Sequence, residues 1–504
     1  MPALAPLFVS FGLALLVTPL VRAAAARAGL LDPPCESRKV HTRPVPRLGG
    51  LAIGAAFYGA LAATLCWGRL GPCLMSQHPG RVAGLAIAGL VVIAVGAIDD
   101  VQGLGPATKL TVDLAVGCLL FAAGFRLQAL AHPFGGALSL GWLSLPATAL
   151  WVAGVANAVN LVDGLDGLAG GVGVAGAVAA FAIGAHAGDP LMLLGALAIL
   201  GSVLGFMLYN VEPASIFMGD SGSLFVGTVL AALALSPRPG PSGSACVAGM
   251  AVVLGVPIVD TFLAIVRRAV RGVPVFSPDR EHLHHRLLDA GMSHRSVVLV
   301  LWTASALLSV AGVLVARSGG HYARLTVLLI AAGAVALGRL GYFAIPDLSL
   351  VRRRRHNRAR LRSADHVAER IERAASVTDV ARELSGAAPL LDVGAVRLCP
   401  RVGPGAPSRP GEARPTFPRG AAFYVDPRRP ERGALEVLWA GERRGLDRCT
   451  ELAVERLCAS VAVALSRLSR DRADARPHAG RPRAAWPADL GATRGGDAQE
   501  RAPP

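Results

Sequence analysis

The chain has 504 residues, 53% of them hydrophobic and 17% charged, with a formal net charge of +16. Repeated apolar runs of about 16–22 residues carry almost no charge, more than a globular core needs, and each is long enough to cross about 30 Å of hydrocarbon as a helix. The runs lack barrel alternation, which excludes a membrane β-barrel as well as a soluble fold and leaves an all-α polytopic membrane protein.

In chain order the runs predict eleven spans, near residues 3–21, 48–66, 82–98, 110–125, 145–160, 168–185, 190–209, 222–236, 245–266, 296–316 and 325–345. The first follows an uncharged start, unlike the basic start of a signal peptide, and is read as a retained span. Basic residues cluster after the first span (Arg22, Arg27, Arg38, Lys39, Arg43, Arg47), between the ninth and tenth (Arg267, Arg268, Arg271, Arg280, Arg286, Arg295) and after the eleventh (Arg352 to Arg355). The positive-inside rule makes all three cytoplasmic, with the N-terminus outside. The expected location is a membrane, with these loops on its cytoplasmic side. Of fifteen acids in residues 1–350, only Asp189 then falls in an outer loop, and Asp113 and Asp260 lie within spans. Acids contribute little to orientation, so this bias points to a polar site on the inner face. The chain has only two lysines, Lys39 and Lys109, and both lie in inner loops beside the polar clusters.

Past residue 350 the composition changes. Residues 351–362 form a basic juxtamembrane linker, suited to stop-transfer and anionic lipid and lacking the interleaved aromatics of a nucleic-acid surface. Residues 363–470 read as a small cytosolic α/β module: an amphipathic helix through "SADHVAERIERAASVTDVARELS", strands in "GAVRLCPRV", "GAAFYVD" and "GALEVLWAG", and a closing helix. The order loosely resembles a GAF-type domain. Residues 471–504 have a Pro/Arg/Ala-rich, disorder-prone composition.

Five inner loops carry the polar residues. They are "RKVHTRPVPRLGG", with Lys39 and His41; "AIDDVQGLGPATKL", with Asp99, Asp100 and Lys109; "NAVNLVDGLDGLAGG", with Asn157, Asn160, Asp163 and Asp166; "YNVEPASIFMGDSGSLFVG", with Asn210, Phe217 and Asp220; and "SPDREHLHHRLL", with His282, His284 and His285. Singly, each has a plain structural explanation: helix caps, turns, a solvated helix, or a Lys109–Asp113 pair four residues apart. Lone Asp260 in an apolar run is expensive and calls for a function or a buried partner. Together the loops supply hard oxygen ligands suited to Mg²⁺, cations for phosphates, and glycine-rich turns for anions.

As an ordered set, these five segments resemble the polyprenyl-phosphate N-acetylhexosamine-1-phosphate transferases over about residues 10–345. The resemblance implies a membrane transferase domain at 1–350 that moves a sugar-1-phosphate from a UDP-sugar to undecaprenyl phosphate, releasing UMP with Mg²⁺ or, as a substitute, Mn²⁺. It implies Asp220 and Asn160 as metal ligands, and Asp99, Asp100, Asp163 and His285 as catalytic residues. Lys39, His41, Lys109, Asn157, Asp166, Asn210, Phe217, His282 and His284 would bind substrates, with Asn210 and Phe217 at the uridine. "HLHH" resembles the branch using UDP-N-acetylglucosamine; the alternative branch transfers phospho-N-acetylmuramoyl-pentapeptide. A polytopic transporter is the non-enzyme alternative. The expected partners are the UDP-sugar, the lipid and the membrane, without nucleic acid; a homodimer is also compatible.

Overall fold

Proline or an Asp side chain opens many of the helices that answer the apolar runs. The computed structural model describes residues 4–32, 44–67, 70–132, 137–235, 241–271, 282–318, 349–391, 393–399, 419–425, 434–439 and 448–474, with isolated positions besides. It divides into two units, Met1–Val266 with Pro278–Ile345, and Arg267–Ser277 with Pro346–Pro504.

The first unit is built from α1 (Ala5–Arg27), α2 (Gly49–Trp67), α3 (Leu70–Gln77), α4 (Pro79–Gln102), α5 (Pro106–Ala122), α6 (Ser144–Val162), α7 (Leu168–Ala187), α8 (Pro190–Asn210), α9 (Gly219–Ala234), α10 (Pro241–Val253), α11 (Gly255–Arg271) as far as Val266, α12 (Leu283–Asp289) and α13 (His294–Arg317). Proline sits in the first turn of α1, α4, α5 and α8, where its missing N–H has no helical partner to lose. Asp189 caps α8, its carboxylate accepting from the amides of Leu191 and Met192 at 3.1 Å each. Two short antiparallel pairs lie between helices: β1 (Leu31–Asp32) with β2 (Val45–Pro46), and β3 (Ala129–Ala131) with β4 (Ala137–Ser139).

Among the described residues, seven helices are long and apolar enough to cross a membrane: α1, α2, α4, α6, α7, α8 and α13. The α10–α11 pair would make an eighth, but it is bent by 74°. The unbroken span expected at 245–266 is therefore corrected. Pro257 cannot donate to the carbonyl of Val253 and its ring crowds that carbonyl, so the helix breaks between the two. The runs at 110–125 and 222–236 form the shorter α5 and α9, of 17 and 16 residues. The run at 325–345 lies outside the described residues apart from isolated positions.

Helix α9 is apolar all round, and such a helix belongs inside a bundle. It packs on α2, α4 and α6, with α7 and α8 beside it, and every residue from Ser221 to Ala234 is buried. At the far end of this bundle Arg81 and Asp189 form a buried ion pair at 3.5 Å. The Arg81 guanidinium also donates to the Leu235 carbonyl at 3.1 Å and lies 4.5 Å from the centre of the Phe125 ring.

The second unit holds α14 (Ser349–Arg373), α15 (Val377–Ala387), β5 (Ala395–Cys399), β6 (Arg419–Tyr424), β7 (Ala434–Trp439) and α16 (Arg448–Asp474). Its sheet is antiparallel in the order β5-β7-β6. Val367, Ile371, Leu384, Leu435, Val437, Leu457 and Val461 form its core. The single amphipathic helix expected from residue 363 is instead two. Ser376 separates them, its hydroxyl accepting from the Asp379 amide at 3.1 Å as an N-cap. The first of the two also runs back through the basic linker.

Candidate active site

The chain alternates direction through the bundle, so the ends of α4, α6 and α8 meet the starts of α5, α7 and α9. Those junctions carry the second, third and fourth polar loops, and side-chain bonds tie all three together. Lys39 and His41 of the first loop lie outside the described residues.

At the centre stands Lys109, in the first turn of α5. Its ammonium donates to Asp99 at 3.0 Å and to Asp220 at 2.7 Å. Asn160, in the last turn of α6, also hydrogen-bonds Asp220, and the Asp99 and Asp220 carboxylates are within hydrogen-bonding reach of each other. The other oxygen of Asp99 accepts from the Leu104 amide. Asp113 does not form the helix pair with Lys109 that its spacing suggests. Its carboxylate accepts from Asn157 at 2.7 Å, joining α5 to α6, and Asn157 also donates to the Ala153 carbonyl at 2.8 Å. Asn157 is thus a brace between helices.

Asp100 is engaged differently from Asp99. One oxygen accepts from the Asp220 amide at 2.9 Å; the other accepts from the Ser221 amide at 3.2 Å and the Ser221 hydroxyl at 2.8 Å. It is the anion at the positive end of α9, where unpaired amides and the helix dipole favour a carboxylate. This geometry ties Asp100 to the backbone of Asp220. Gly219 enables the grip: its φ is +70°, and a Cβ there would sit 2.5 Å from an Asp100 oxygen. Gly96 lets α4 approach α9, since its Cβ would lie 2.5 Å from the Ser221 Cα.

Two further expected binding residues hold loops. Asn210 is 2% exposed; its oxygen accepts from the Gly167 amide at 3.2 Å and its nitrogen donates to the Ile216 carbonyl at 3.0 Å. Each end of the carboxamide makes one bond, so Asn210 ties the two loops together. Asp166 accepts from the Ala214 amide at 2.9 Å and so ties the same two loops. Phe217 is half-buried beside them, its backbone bonded to Pro46 and Gly49. Asp163, in the turn between α6 and α7, has its pKa pushed up to about 8 by burial and then by the charges of Asp220, Asp100 and Asp166, against the pull of Arg47.

The histidines reach this end from α12. His282 and His284 are buried, with ring centres 5.9 Å apart, and half-buried His285 lies 4.3 Å from His284. Burial, followed by the neighbouring His285 and His282, pushes the His284 pKa down to about 3, which keeps it neutral at physiological pH. Asp260, the costly acid in α11, has its buried partner: His282 Nδ1 is 3.0 Å from its carboxylate.

The sequence model of "Glycosyl transferase family 4" matches residues 82–237. A Bacillus subtilis (strain 168) protein named "Probable undecaprenyl-phosphate N-acetylglucosaminyl 1-phosphate transferase" is 36% identical over 300 residues, covering 59% of this chain and 81% of that protein. The "Decaprenyl-phosphate N-acetylglucosaminephosphotransferase" of Mycobacterium tuberculosis is 35% identical over 314 residues, covering 56% and 74%. The Escherichia coli (strain K12) "Undecaprenyl-phosphate alpha-N-acetylglucosaminyl 1-phosphate transferase" is 29% identical over 315 residues, covering 61% and 82%. The chain belongs to the polyprenyl-phosphate N-acetylhexosamine-1-phosphate transferase family.

For a member of this transferase family the donor set is informative. Among the described residues no three His, Cys, Asp or Glu groups are arranged to enclose a metal. Asp99, Asp220 and Asn160 offer two carboxylates and a carboxamide, the Asp220 side chain being a quarter exposed. Such a partial oxygen set fits Mg²⁺, which usually keeps waters and shares its sphere with substrate phosphates. Sequence reasoning placed Ser221, Arg47 and Asn157 in the polar loops but missed their partners: the Ser221 hydroxyl on Asp100, Arg47 within electrostatic reach of Asp163, and the Asn157–Asp113 brace. Only Ser221, inside the "GDSGS" turn, carried a local signal.

Proposed function

We propose that the chain transfers N-acetylglucosamine 1-phosphate from UDP-N-acetylglucosamine to undecaprenyl phosphate, starting a lipid-linked cell-surface polysaccharide. The single observation that carries this is Lys109 joining Asp99 and Asp220, with Asn160 beside them, at one end of an apolar bundle. The names of the relatives support the N-acetylglucosamine donor over the muramoyl-pentapeptide alternative. The basic clusters support a cytosolic active end and tail in a bacterial cytoplasmic membrane. On this reading residues 1–350 are the transferase and 363–470 a separate cytosolic module.

In the reaction an oxygen of the lipid phosphate attacks the β-phosphorus of the donor. The bond from that phosphorus to the bridging oxygen breaks, and UMP leaves with both electrons. Phosphoryl transfer asks for positioning and charge neutralisation rather than covalent help. Asp99, Asp220 and Asn160 would hold Mg²⁺, which supplies positive charge to the diphosphate. Lys109, tethered between the two acids, turns its ammonium to a phosphate oxygen once its carboxylates are otherwise engaged. Asp100 keeps the amide of Asp220 in place. The acceptor's second pKa is near 6, so it arrives largely as the dianion at pH 7 and needs no base.

The test is purified full-length protein with undecaprenyl phosphate, Mg²⁺ and a panel of UDP-sugars. UDP-N-acetylglucosamine is expected to give lipid-linked product and stoichiometric UMP, and Asp220→Ala to give neither while still inserting. Substantial Mg²⁺-dependent UMP release by that variant overturns the metal assignment; product only from another UDP-sugar overturns the donor.

A further inference from the structure

The proposed reaction uses the acids at the helix junctions, and it leaves Asp260 without a task. Asp260 lies in α11, beyond the bend, and is 4% exposed. A lone carboxylate buried so deeply is strongly disfavoured unless it is paired and hydrogen-bonded. Both of its oxygens are bonded, each to the same short segment. One oxygen is 3.0 Å from His282 Nδ1, and the other accepts from the Leu283 amide at 3.0 Å. The first contact fixes the rotation of the imidazole. The second fixes the backbone immediately after it.

From there the contacts run to the acidic loop. The His282 ring is parallel to that of His284, within 3°. The Nε2 of His284 lies 2.5 Å from where a Cβ on residue 164 would be, so the ring rests directly against Gly164. Gly164 is flanked by Asp163 and lies two residues before Asp166. Leu287 of the same segment packs with Val162, Leu165 and Leu168 around that loop. The segment is therefore fastened at one end by Asp260 and pressed on the acidic loop at the other.

We infer that Asp260 is a positioning residue for the transfer reaction: its carboxylate sets the tautomer of His282 and the register of the histidine segment, and so presents His284 and His285 to the acidic loop and the donor's phosphates. A carboxylate facing Nδ1 accepts a hydrogen bond from it, which keeps a proton on that nitrogen and fixes the ring's orientation. This is the orienting role a carboxylate plays for other working histidines. Asp260→Asn keeps the shape and the bond from the Leu283 amide but turns an NH₂ towards Nδ1, which demands the opposite tautomer.

The inference rests on the proposed reaction, and two measurements separate the two. The first is steady-state transfer by full-length wild type, Asp260→Asn, His282→Ala and the double variant. Asp260→Asn is expected to lower kcat by about 30- to 100-fold, with KM for UDP-N-acetylglucosamine within threefold and an unchanged melting temperature. In the double variant it should add less than threefold to the loss from His282→Ala alone. The second needs no activity: diethyl pyrocarbonate labelling read by mass spectrometry. His284 is expected to be protected in the wild type and to react at least tenfold faster in Asp260→Ala, while His78 reacts equally in both. Near-normal kcat in Asp260→Asn, losses that multiply in the double variant, or unchanged His284 labelling each overturn the inference. A wild type that makes no lipid-linked product but shows the labelling change defeats the proposed reaction and leaves the positioning of the histidine segment standing.

Discussion

Lys109 and Asp220 lie 111 positions apart in sequence and 2.7 Å apart in the fold. The ammonium occupies the space between two carboxylates, where a divalent cation would otherwise be drawn. Like and unlike charges a few Å apart at an effective dielectric near 20 interact by about 2–4 kcal/mol. Lys109→Met should therefore tighten Mn²⁺ binding by about tenfold, or roughly 1.4 kcal/mol, while turnover falls by at least about 100-fold. Mn²⁺ titration by electron paramagnetic resonance, beside the transfer assay, reads both. Lys109→Arg should not restore turnover, because a planar fork does not replace a point charge.

Asp100 holds the first turn of α9 by three hydrogen bonds. Asp100→Asn removes the charge from a helix N-terminus and exchanges one acceptor for a donor. The expected cost is about 1–2 kcal/mol of stability, seen as a lower melting temperature, with activity lost as Asp220 shifts. A variant that loses activity at an unchanged melting temperature would instead place Asp100 on the substrate.

Gly219→Ala attacks the same junction from the backbone. The position has φ +70°, and the added methyl would meet the Asp100 carboxylate at 2.5 Å. Left-handed strain alone is about 1–2 kcal/mol, and the contact adds to it. Melting temperature and transfer should fall together, and substituting Gly105, whose Cβ would meet nothing within 4 Å, should leave both nearly unchanged.

Asp163 gives the pH dependence its sign. Its pKa is raised from 3.8 to about 8 in the metal-free fold, so the folded chain keeps a proton that the unfolded chain gives up. Its contribution to stability is complete below about pH 4 and is lost as the pH rises through about 8. A divalent cation nearby reverses the preference and expels the proton. Mg²⁺ binding at pH 7 should therefore release close to one proton, measurable by calorimetry in buffers of different ionisation enthalpy. Apparent affinity should rise between pH 6 and 8, and both effects should vanish in Asp163→Asn.

Much of this was legible in residues that act locally. The apolar runs gave the helices around Leu85, Val152 and Val203, because an uncharged run long enough to cross hydrocarbon must satisfy its own backbone bonds as a helix. The junction acids could be placed at helix ends by counting. What pairs across helices could not. Periodicity offers Lys109 to Asp113, four residues on, and says nothing of Asn157 on the next helix. Asn210 looked available because its partners, Gly167 and Ile216, become its neighbours only when two loops fold back. The break before Gly255 was visible in Pro257, and the length of the apolar run obscured it.

Helix α4 carries Arg81 near one end and Asp99 near the other, each locked to a partner on a different helix. Eighteen residues at 1.5 Å separate them by about 27 Å, close to the roughly 30 Å thickness of a bilayer's oily interior. The two charge pairs thus mark the two ends of the bundle's apolar length. A polyprenyl chain anchored in the same leaflet delivers its phosphate at headgroup height, level with Asp99. On that arithmetic the acceptor meets the enzyme by sideways diffusion alone, and no step need lift it out of the membrane.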